Sequence, residues 1–382
     1  MNTVVREIRA HQLAGQDTRR LRELAEPLSS VMVEPKGTGW PEHQRRYALE
    51  LVANGVSGWF GPVSEVVLTL IRDNHAAGLI GHDVLEHRNF PRRSIVGRHC
   101  SGAHARQAQS VLELACWDLA SRATGTPVGA LLGGAARMAV PVYASALGLD
   151  VLHPGTPEAA EWIDGAGFWG QKWALPATLI DLGPMAVDTC LSRIRAAVPD
   201  ARIMVDGLGQ CRLDQALAVL PVLVALRLTW AEELVEAGSA AWLSLRSRAA
   251  GGVPMAAGEH AYDPGEQSRL LTDGLVDIWQ PDVAWCGGIS RALHTAQVAA
   301  DLGVATFPHG GSLAAAVALA GVCTARAVPA VEYHLTIEPL RQCVVVDALR
   351  PINGELLVRS IPGLAEYAMP AGALPISLGA VQ

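Results

Sequence analysis

The sequence predicts an α/β protein: a (β/α)8-type barrel with a smaller N-terminal α+β domain that the C-terminal tail completes. Three observations carry this expectation. Short apolar segments recur between residues 202 and 334, each ending in a polar residue able to do chemistry: Asp206, Glu232, Glu259, Asp282, His309 and Glu332. These six are separated by 26, 27, 23, 27 and 23 residues, about the length that a strand, a loop, a helix and a return loop consume in such a barrel. Two upstream segments, 140–145 and 168–174, add Tyr143 and Lys172 and bring the count to eight strands, the number a closed barrel requires.

At 382 residues, half of them hydrophobic, the chain has room for a barrel, one smaller domain and a sizeable core. A net charge of −7 gives no reason to expect a nucleic-acid partner. Seven cysteines without paired spacing read as reduced thiols of a cytoplasmic protein. The first residues, Met-Asn-Thr-Val-Val-Arg-Glu-Ile-Arg, lack the apolar core of a signal peptide. The apolar runs 216–226 and 313–323 fall short of the roughly 18 residues of a membrane span, so no membrane partner is expected. Lysine occurs only at Lys36 and Lys172, which makes Lys172, inside an apolar segment, hard to read as generic surface charge.

In chain order, residues 1–135 read as the α+β domain. Strand-like segments fall at 4–13, 30–34 and 56–60, helical spacing at 42–52 and 65–75, and loop composition at 91–104. A helix is predicted over 105–123, where Val111, Leu114, Ala115 and Leu119 form an apolar stripe and Gly125 offers a C-terminal stop. Residues 127–134 read as a linker into the barrel, 136–346. Within it, 213–226 and 290–302 read as helices between strands, and Pro221 inside the first predicts a kink or break. The longest unit runs from Lys172 to Asp206, with a Pro/Gly-bearing insertion at 176–184. The tail, 347–382, lies outside the barrel count and is expected to pack back on the first domain.

The strand-end residues suggest a chemistry. Asp206, Glu232 and Glu259 are hard-oxygen acids on successive strand ends, a donor set that suits Mg2+. Taken singly, each has a plainer reading: Asp206-Gly207 as a turn pair, Glu232-Glu233 as the solvated start of a loop. Their common period is what favours one shared ion. Asp282 and His309 end the next two strands. A carboxylate on one imidazole nitrogen orients the ring and raises its basicity, leaving the other nitrogen as a general base. The plainer reading of His309 is a histidine in the glycine-rich turn Pro308-His309-Gly310-Gly311-Ser312. Glu332 belongs at the far side of the same pocket, able to hydrogen-bond a substrate. Lys172 is placed facing the acids across the mouth, its cation available to a substrate carboxylate; the alternative is a stem packed in the barrel with its head in water. Together they favour removal of the α-proton of a carboxylate held on Mg2+, with the metal stabilising the enediolate.

An ordered set of motifs carries a resemblance: Leu112-Glu-Leu-Ala-Cys-Trp-Asp-Leu-Ala120, Trp230-Ala-Glu-Glu233, Ala257-Gly-Glu-His260, Gln280-Pro-Asp-Val-Ala-Trp-Cys-Gly-Gly288 and Val331-Glu-Tyr-His334. With these the chain resembles the enolase superfamily in its mandelate racemase-like branch, over about two thirds of its length. A Lys or His base acting with Mg2+ on an ene-diolate is the chemistry already described for that superfamily, not a derivation from this chain. The first hundred residues resemble the family's capping domain loosely, best at Gly58-Trp-Phe-Gly-Pro62.

The resemblance implies Mg2+ on Asp206, Glu232 and Glu259, a His309–Asp282 base, Glu332 as hydrogen-bond donor to the substrate carboxylate, and His260 as a substrate-contacting rim residue. It also implies a homo-oligomer, and it places specificity in capping loops, including Trp59 and Phe60. Three departures bear on the reaction: Lys172-Trp173-Ala174 stands where many relatives have Lys-x-Lys, Leu208 replaces a usual Asn, and Leu234 replaces the Pro after the paired glutamates. A His–Asp dyad without an opposite-face base fits an acid-sugar dehydratase converting an aldonate or aldarate to a 2-keto-3-deoxy acid. The rival readings are a racemase or epimerase of a 2-hydroxy acid with Lys172 as second base, an aldolase-like barrel with a Schiff base on Lys172 and a phosphate cup at Gly310-Gly311-Ser312, and a metal-binding relative without turnover.

Overall fold

The computed structural model describes residues 3–13, 28–33, 45–89, 102–134, 136–249, 251–370, 372 and 374–381. Near the N-terminus, β1 (Glu7–Gln12), β2 (Arg46–Ala53) and β3 (Val56–Ser64) form an antiparallel sheet with β2 in the middle. The helical spacing expected over 42–52 is therefore corrected to strand from Arg46 onward; 42–44 lie outside the described residues. The reason is coverage on both faces: Tyr47, Leu49, Leu51 and Ala53 alternate into the main core, while Ala48 is buried in a separate cluster. A central strand so covered loses the polar interruptions that distinguish it from a helix. The hairpin between β2 and β3 turns at Asn54-Gly55, both at positive φ (39° and 86°), the dipeptide that a two-residue turn favours.

The segment 30–34, expected as strand, is a 3-10 turn at Ser29–Val31 followed by a bridge from Met32 to Leu149; Glu34 lies outside the described residues. The helix expected at 65–75 is present as Glu65–Leu70, capped by Ser64 accepting from the Val67 amide, and continues as a π-turn over Ile71–His75. Of the loop expected at 91–104, residues 91–101 lie outside the described residues. The long helix spans Ala103–Thr124 and stops, as expected, at Gly125 in the left-handed region (φ 67°). It presses directly on β3: a Cβ at Gly58 would stand 2.4 Å from Leu119 Cβ. Asp118 of the same helix accepts from the amides of Trp59 and Leu364, joining the helix to β3 and to the C-terminal tail. The linker contains one short helix, Val128–Leu131.

Eight parallel strands follow: β4 (Ala139–Ser145), β5 (Gln171–Ala174), β6 (Ile203–Asp206), β7 (Trp230–Glu232), β8 (Met255–Ala257), β9 (Ile278–Trp279), β10 (Ala305–Thr306) and β11 (Val331–His334). They pair in chain order from β4 to β10, and β11 returns to pair with β4. The Glu332 amide donating to Pro308 O at 3.2 Å ties β11 to the segment after β10 and closes the cylinder. The barrel interior is plugged by Tyr143, Met204, Trp230, Ala256, Phe307 and Ala330, with Trp230 and Phe307 ring centroids 4.8 Å apart. This plug leaves open polar chemistry only to the C-terminal strand ends above it.

The helix Leu213–Ala225 runs unbroken through Pro221, where a kink or break was expected. Its buried face of Ala216, Val219, Leu220 and Leu223 holds it together across the missing N–H. The tail divides its contacts. β12 (Glu355–Leu357) pairs antiparallel with β4 of the barrel, whereas β13 (Ile376–Ala380) pairs antiparallel with β1 and completes the N-terminal sheet. The expectation that the tail packs on the first domain thus holds for its end, while its first strand extends the barrel. Cys116, Cys190, Cys211, Cys286 and Cys323 are unbridged. Among the described residues, no helix is long and apolar enough to cross a membrane.

Candidate active site

Strand register sets the depth of each side chain. Asp206 and Glu232 are cross-strand partners at the ends of β6 and β7, and Ala174 of β5 lies level with them. Lys172 is one inward-facing position deeper, level with Met204. Its long stem rises from the aromatic plug, and its ammonium ends among acids, 5.9 Å from the Tyr143 ring centroid. Nζ stands 2.9 Å from both Glu232 oxygens, 3.1 Å from Glu332 Oε1 and 3.3 Å from Asp206 Oδ2. Lys172 has no solvent exposure. Its head therefore does not reach water or stand open at the mouth; it is engaged by the chain's own carboxylates. Burial alone would lower its pKa, but Glu232 and Glu332 outweigh that and hold it well above the ordinary lysine range.

The second cationic position is His309, three residues beyond β10. Its Nδ1 lies 2.7 Å from Asp282 Oδ2, and its Nε2 lies 3.1 Å from Glu259 Oε2 and 3.8 Å from Glu332 Oε2. An isolated parallel bridge between Asp282 and His309 aligns the two backbones, and Asp282 Oδ1 accepts from the Ala284 amide. The Trp285 ring lies against the imidazole with centroids 5.2 Å apart. The glycine-rich turn has a steric reason: a Cβ on Gly311 would fall 1.8 Å from Asp282 Oδ2. Burial would lower the His309 pKa, yet Glu259, Glu332 and Asp282 push it up to about 10.

Glu332 sits between these two cations. Burial favours its neutral form, but Lys172 and His309 hold it well below the ordinary carboxylate range. It accepts from the Gly310 amide at 3.1 Å, so as arranged it is an acceptor, unlike the donor role that the resemblance implies. That same bond occupies one amide of the turn considered as a phosphate cup.

Other polar groups in the site escaped the sequence reading. Gln280 Nε2 donates to Glu232 Oε2 at 2.6 Å and Trp230 Nε1 to the same oxygen at 3.3 Å. Glu233, read as the solvated start of a loop, is buried and lies 2.8 Å from His260 Nδ1. This hydrogen bond, offset in part by burial, raises His260 to about 9. His260 itself is half exposed at the rim, near Tyr262 and Trp285. Asp282 and Glu232 were visible in the sequence; that their neighbours Gln280 and Glu233 are also buried at the site was not. Of the two capping aromatics, Phe60 lines the cleft above the barrel, whereas Trp59 packs on His11 at 5.0 Å. Leu208 adopts φ 54° and its amide donates to Asp206 Oδ1 at 2.8 Å, a contact that needs no particular side chain.

A divalent cation can be weighed against these residues. Asp206, Glu232 and Glu259 are each shifted upward, first by burial and then by one another: Asp206 by Glu259, Glu232 by Asp206, and Glu259 by Glu232. Buried acids that repel in this way face a common space, and a hard ion there would relieve the repulsion. As they stand, no three His, Cys, Asp or Glu among the described residues gather their donors into a coordination shell; Lys172 and His309 take up the oxygens instead. The donor chemistry fits Mg2+.

A capped, plugged barrel with acids, an ammonium and an imidazole–carboxylate pair at its strand ends defines the class of capped (β/α)8 barrels with a polar strand-end site. Residues 157–366 match the enolase C-terminal domain-like family, and residues 42–133 match the mandelate racemase/muconate lactonizing enzyme N-terminal domain. The chain belongs to the mandelate racemase/muconate lactonizing branch of the enolase superfamily. It is similar to the D-galactarolactone cycloisomerase of Agrobacterium fabrum (strain C58 / ATCC 33970), 29% identical over 272 residues that cover 67% of this chain and 70% of the relative. Among solved structures it resembles an L-rhamnonate dehydratase from Gibberella zeae (TM-score 0.76, 21% identity, 98% and 96% of the two chains covered). It also resembles a racemase from Streptomyces coelicolor A3(2) with bound magnesium (TM-score 0.76, 18% identity, 95% and 97% covered). At those identities the structures attest the fold, and the three names span three different reactions.

Proposed function

We propose that the protein removes the α-proton of a sugar acid with His309 and eliminates the β-hydroxyl, a Mg2+-dependent dehydration to a 2-keto-3-deoxy acid. The observation that carries the reading is the 2.7 Å contact between His309 Nδ1 and Asp282. It fixes the ring and leaves Nε2 pointing toward Glu259 and Glu332, where a bound carboxylate's α-carbon would lie. Asp206, Glu232 and Glu259 would hold Mg2+, which supplies charge stabilisation to the substrate carboxylate as its α-proton leaves. His309 takes the proton at Nε2 and, as the β C–O bond breaks, returns it to the departing hydroxyl, so that water leaves and the enol product ketonises. Asp282 stabilises the imidazolium between the two transfers. Lys172 and Glu332 shape the charge beneath the substrate, and His260 contacts it from the rim.

The environment of Lys172 weighs against two rivals. A second-base racemase and a Schiff-base aldolase both need the Lys172 nitrogen at the substrate, and it is fully buried and held by three of the chain's own acids. A second reading is cycloisomerisation of a sugar-acid lactone, supported by the 29% identical relative. It uses the same proton abstraction, with a ring oxygen as leaving group in place of hydroxyl. The two separate by product. An acid-sugar and lactone library incubated with protein, Mg2+ and D2O is expected to yield 2-keto-3-deoxy acids bearing solvent deuterium. Products formed from lactones alone, isomeric with the lactone apart from one solvent deuterium, would favour the second reading, and no product from any member of the library would refute both.

A further inference from the structure

The long helix Ala103–Thr124 of the N-terminal domain meets the barrel at the loop that carries Asp282. Asp282 opens one tight turn: its carbonyl accepts from the amides of Trp285 at 3.0 Å and Cys286 at 2.8 Å. The turn therefore fixes both Asp282, which holds the His309 ring, and Trp285, which lies against it. Beyond it, Gly287 leads to Gly288, the N-cap of the helix Ile289–Asp301, which has no side chain to cap that helix. Glu113 of the long helix does so from the other domain. Its Oε2 accepts from the Ile289 amide at 2.9 Å, and its Oε1 accepts from the Ser290 amide at 3.1 Å and from Trp117 Nε1 at 2.8 Å. A buried carboxylate on two free amides of a helix N-terminus is a strong cap. One turn earlier on the long helix, Ser110 Oγ accepts from the Gly287 amide at 2.9 Å. Both side chains are buried. The fit is close: a Cβ on Gly288 would fall 2.1 Å from Glu113 Oε2. From within the barrel, Gln267 Nε2 donates to Cys286 O at 3.0 Å, so the turn is held from both domains.

We propose that Glu113 is a positioning residue for the base: with Ser110, it lets the N-terminal domain set where Asp282 and Trp285 hold His309. This rests on the reading of His309 as the base, and it gives the N-terminal domain a part in the chemistry that needs no contact with substrate. Glutamine cannot stand in for Glu113. Trp117, Ile289 and Ser290 present N–H donors to both of its oxygens, so an amide side chain would set its own NH2 against a donor. The turn must then shift, or a buried amide goes unmet.

Hydrogen–deuterium exchange and kinetics on the full chain with Mg2+ test it, comparing Glu113→Gln with wild type and with Asp118→Asn as a control. Asp118 lies further along the same helix, on the amides of Trp59 and Leu364 and not on the turn. Glu113→Gln is expected to speed amide exchange over 282–290 and 309–312 by about 10-fold, the effect of one buried donor left unmet. The barrel strands should keep their protection. On an acid that wild type turns over, kcat should fall about 10- to 100-fold with KM within about twofold, as a displaced reacting group and an intact binding site require. Asp118→Asn should leave both segments at wild-type exchange rates. Ser110→Ala is the second variant should Glu113→Gln fail to fold, with the same signs expected. Wild-type exchange in either segment overturns the proposal, as does equal loosening of the whole chain, equal loosening of the two segments in Asp118→Asn, or a raised KM at unchanged kcat. Where wild type turns over no acid, the dehydratase reading falls by that result alone, and the exchange comparison still decides whether Glu113 positions the pair.

Discussion

The ammonium of Lys172 bridges both carboxylate oxygens of Glu232 at 2.9 Å, fully out of solvent. The contact exists because Lys172 is rooted level with Met204, beneath Glu232, so that only a four-carbon stem spans the gap. A buried cation with three carboxylates around it is an electrostatic keystone for the acids, and the same geometry keeps it protonated.

Replacing that cation exposes what it offsets. Lys172→Met should destabilise the metal-free protein by about 3–5 kcal/mol, the cost of leaving a buried charge without its partner. Urea unfolding with and without Mg2+ checks this. The ion should restore part of the loss, since it brings positive charge to the same oxygens, whereas a variant as stable as wild type would contradict the arrangement. Borohydride with any sugar acid should trap no adduct on Lys172.

In the proposed dehydration, the His309–Asp282 pair sets the rate of proton removal. His309→Asn should abolish incorporation of solvent deuterium at the substrate α-carbon and slow turnover by about 10²–10⁴-fold, while Asp282→Asn acts in the same direction by loosening the ring. Mass spectrometry of recovered substrate reads the exchange, and the rate of product formation reads the turnover. Undiminished exchange in His309→Asn would move the base elsewhere.

Gly311 is a steric test of the same pair. Because a Cβ there would overlap the Asp282 carboxylate at 1.8 Å, Gly311→Ala must displace Asp282 or its own loop. Turnover is expected to fall about 100-fold, as a misplacement of about 1 Å in a reacting group does, with the protein still folded by circular dichroism. Full activity would show that Asp282 is not held where the geometry puts it.

His75 carries a pH prediction away from the site. Burial pushes its imidazole down to about 4, against about 6.5 in an unfolded chain. The unfolded state therefore binds the extra proton between those values, so this stability contribution is intact above pH 6.5 and is lost as pH falls toward 4, by up to about 3 kcal/mol. His75→Gln should flatten that part of the profile. Urea midpoints for wild type and variant at pH 7 and 4.5 measure the difference, and parallel profiles would reject it.

The barrel was readable because its signal is local and repeated. Each apolar strand carries its polar residue at its own end, and the interval between ends is the length of one β/α unit. The dyad was readable for the same reason, from Asp282 and His309 on neighbouring strands. The misreading of 42–52 came from a strand buried on both faces, whose Asn54-Gly55 turn was the better signal. Glu233 and Gln280 were not readable as site residues, nor were Arg46 and Arg341 readable as lining one cleft. Their residue types fit a loop or a surface, and only packing between distant segments turns them toward the acids or the cleft.

From residue order alone came the eight-strand period and the acids and imidazole on strand ends, since side-chain alternation and unit length are properties of the chain itself; that Ala174 stands where relatives have a second lysine came from the family resemblance. Only the folded molecule decided that Lys172 turns to Glu232 and away from solvent, that Glu332 is held ionised between two cations, and that Arg46 and Arg341, nearly three hundred residues apart, face one cleft. Those outcomes depend on depth, burial and the approach of unlike segments, and electrostatic energy in a dry site depends on all three.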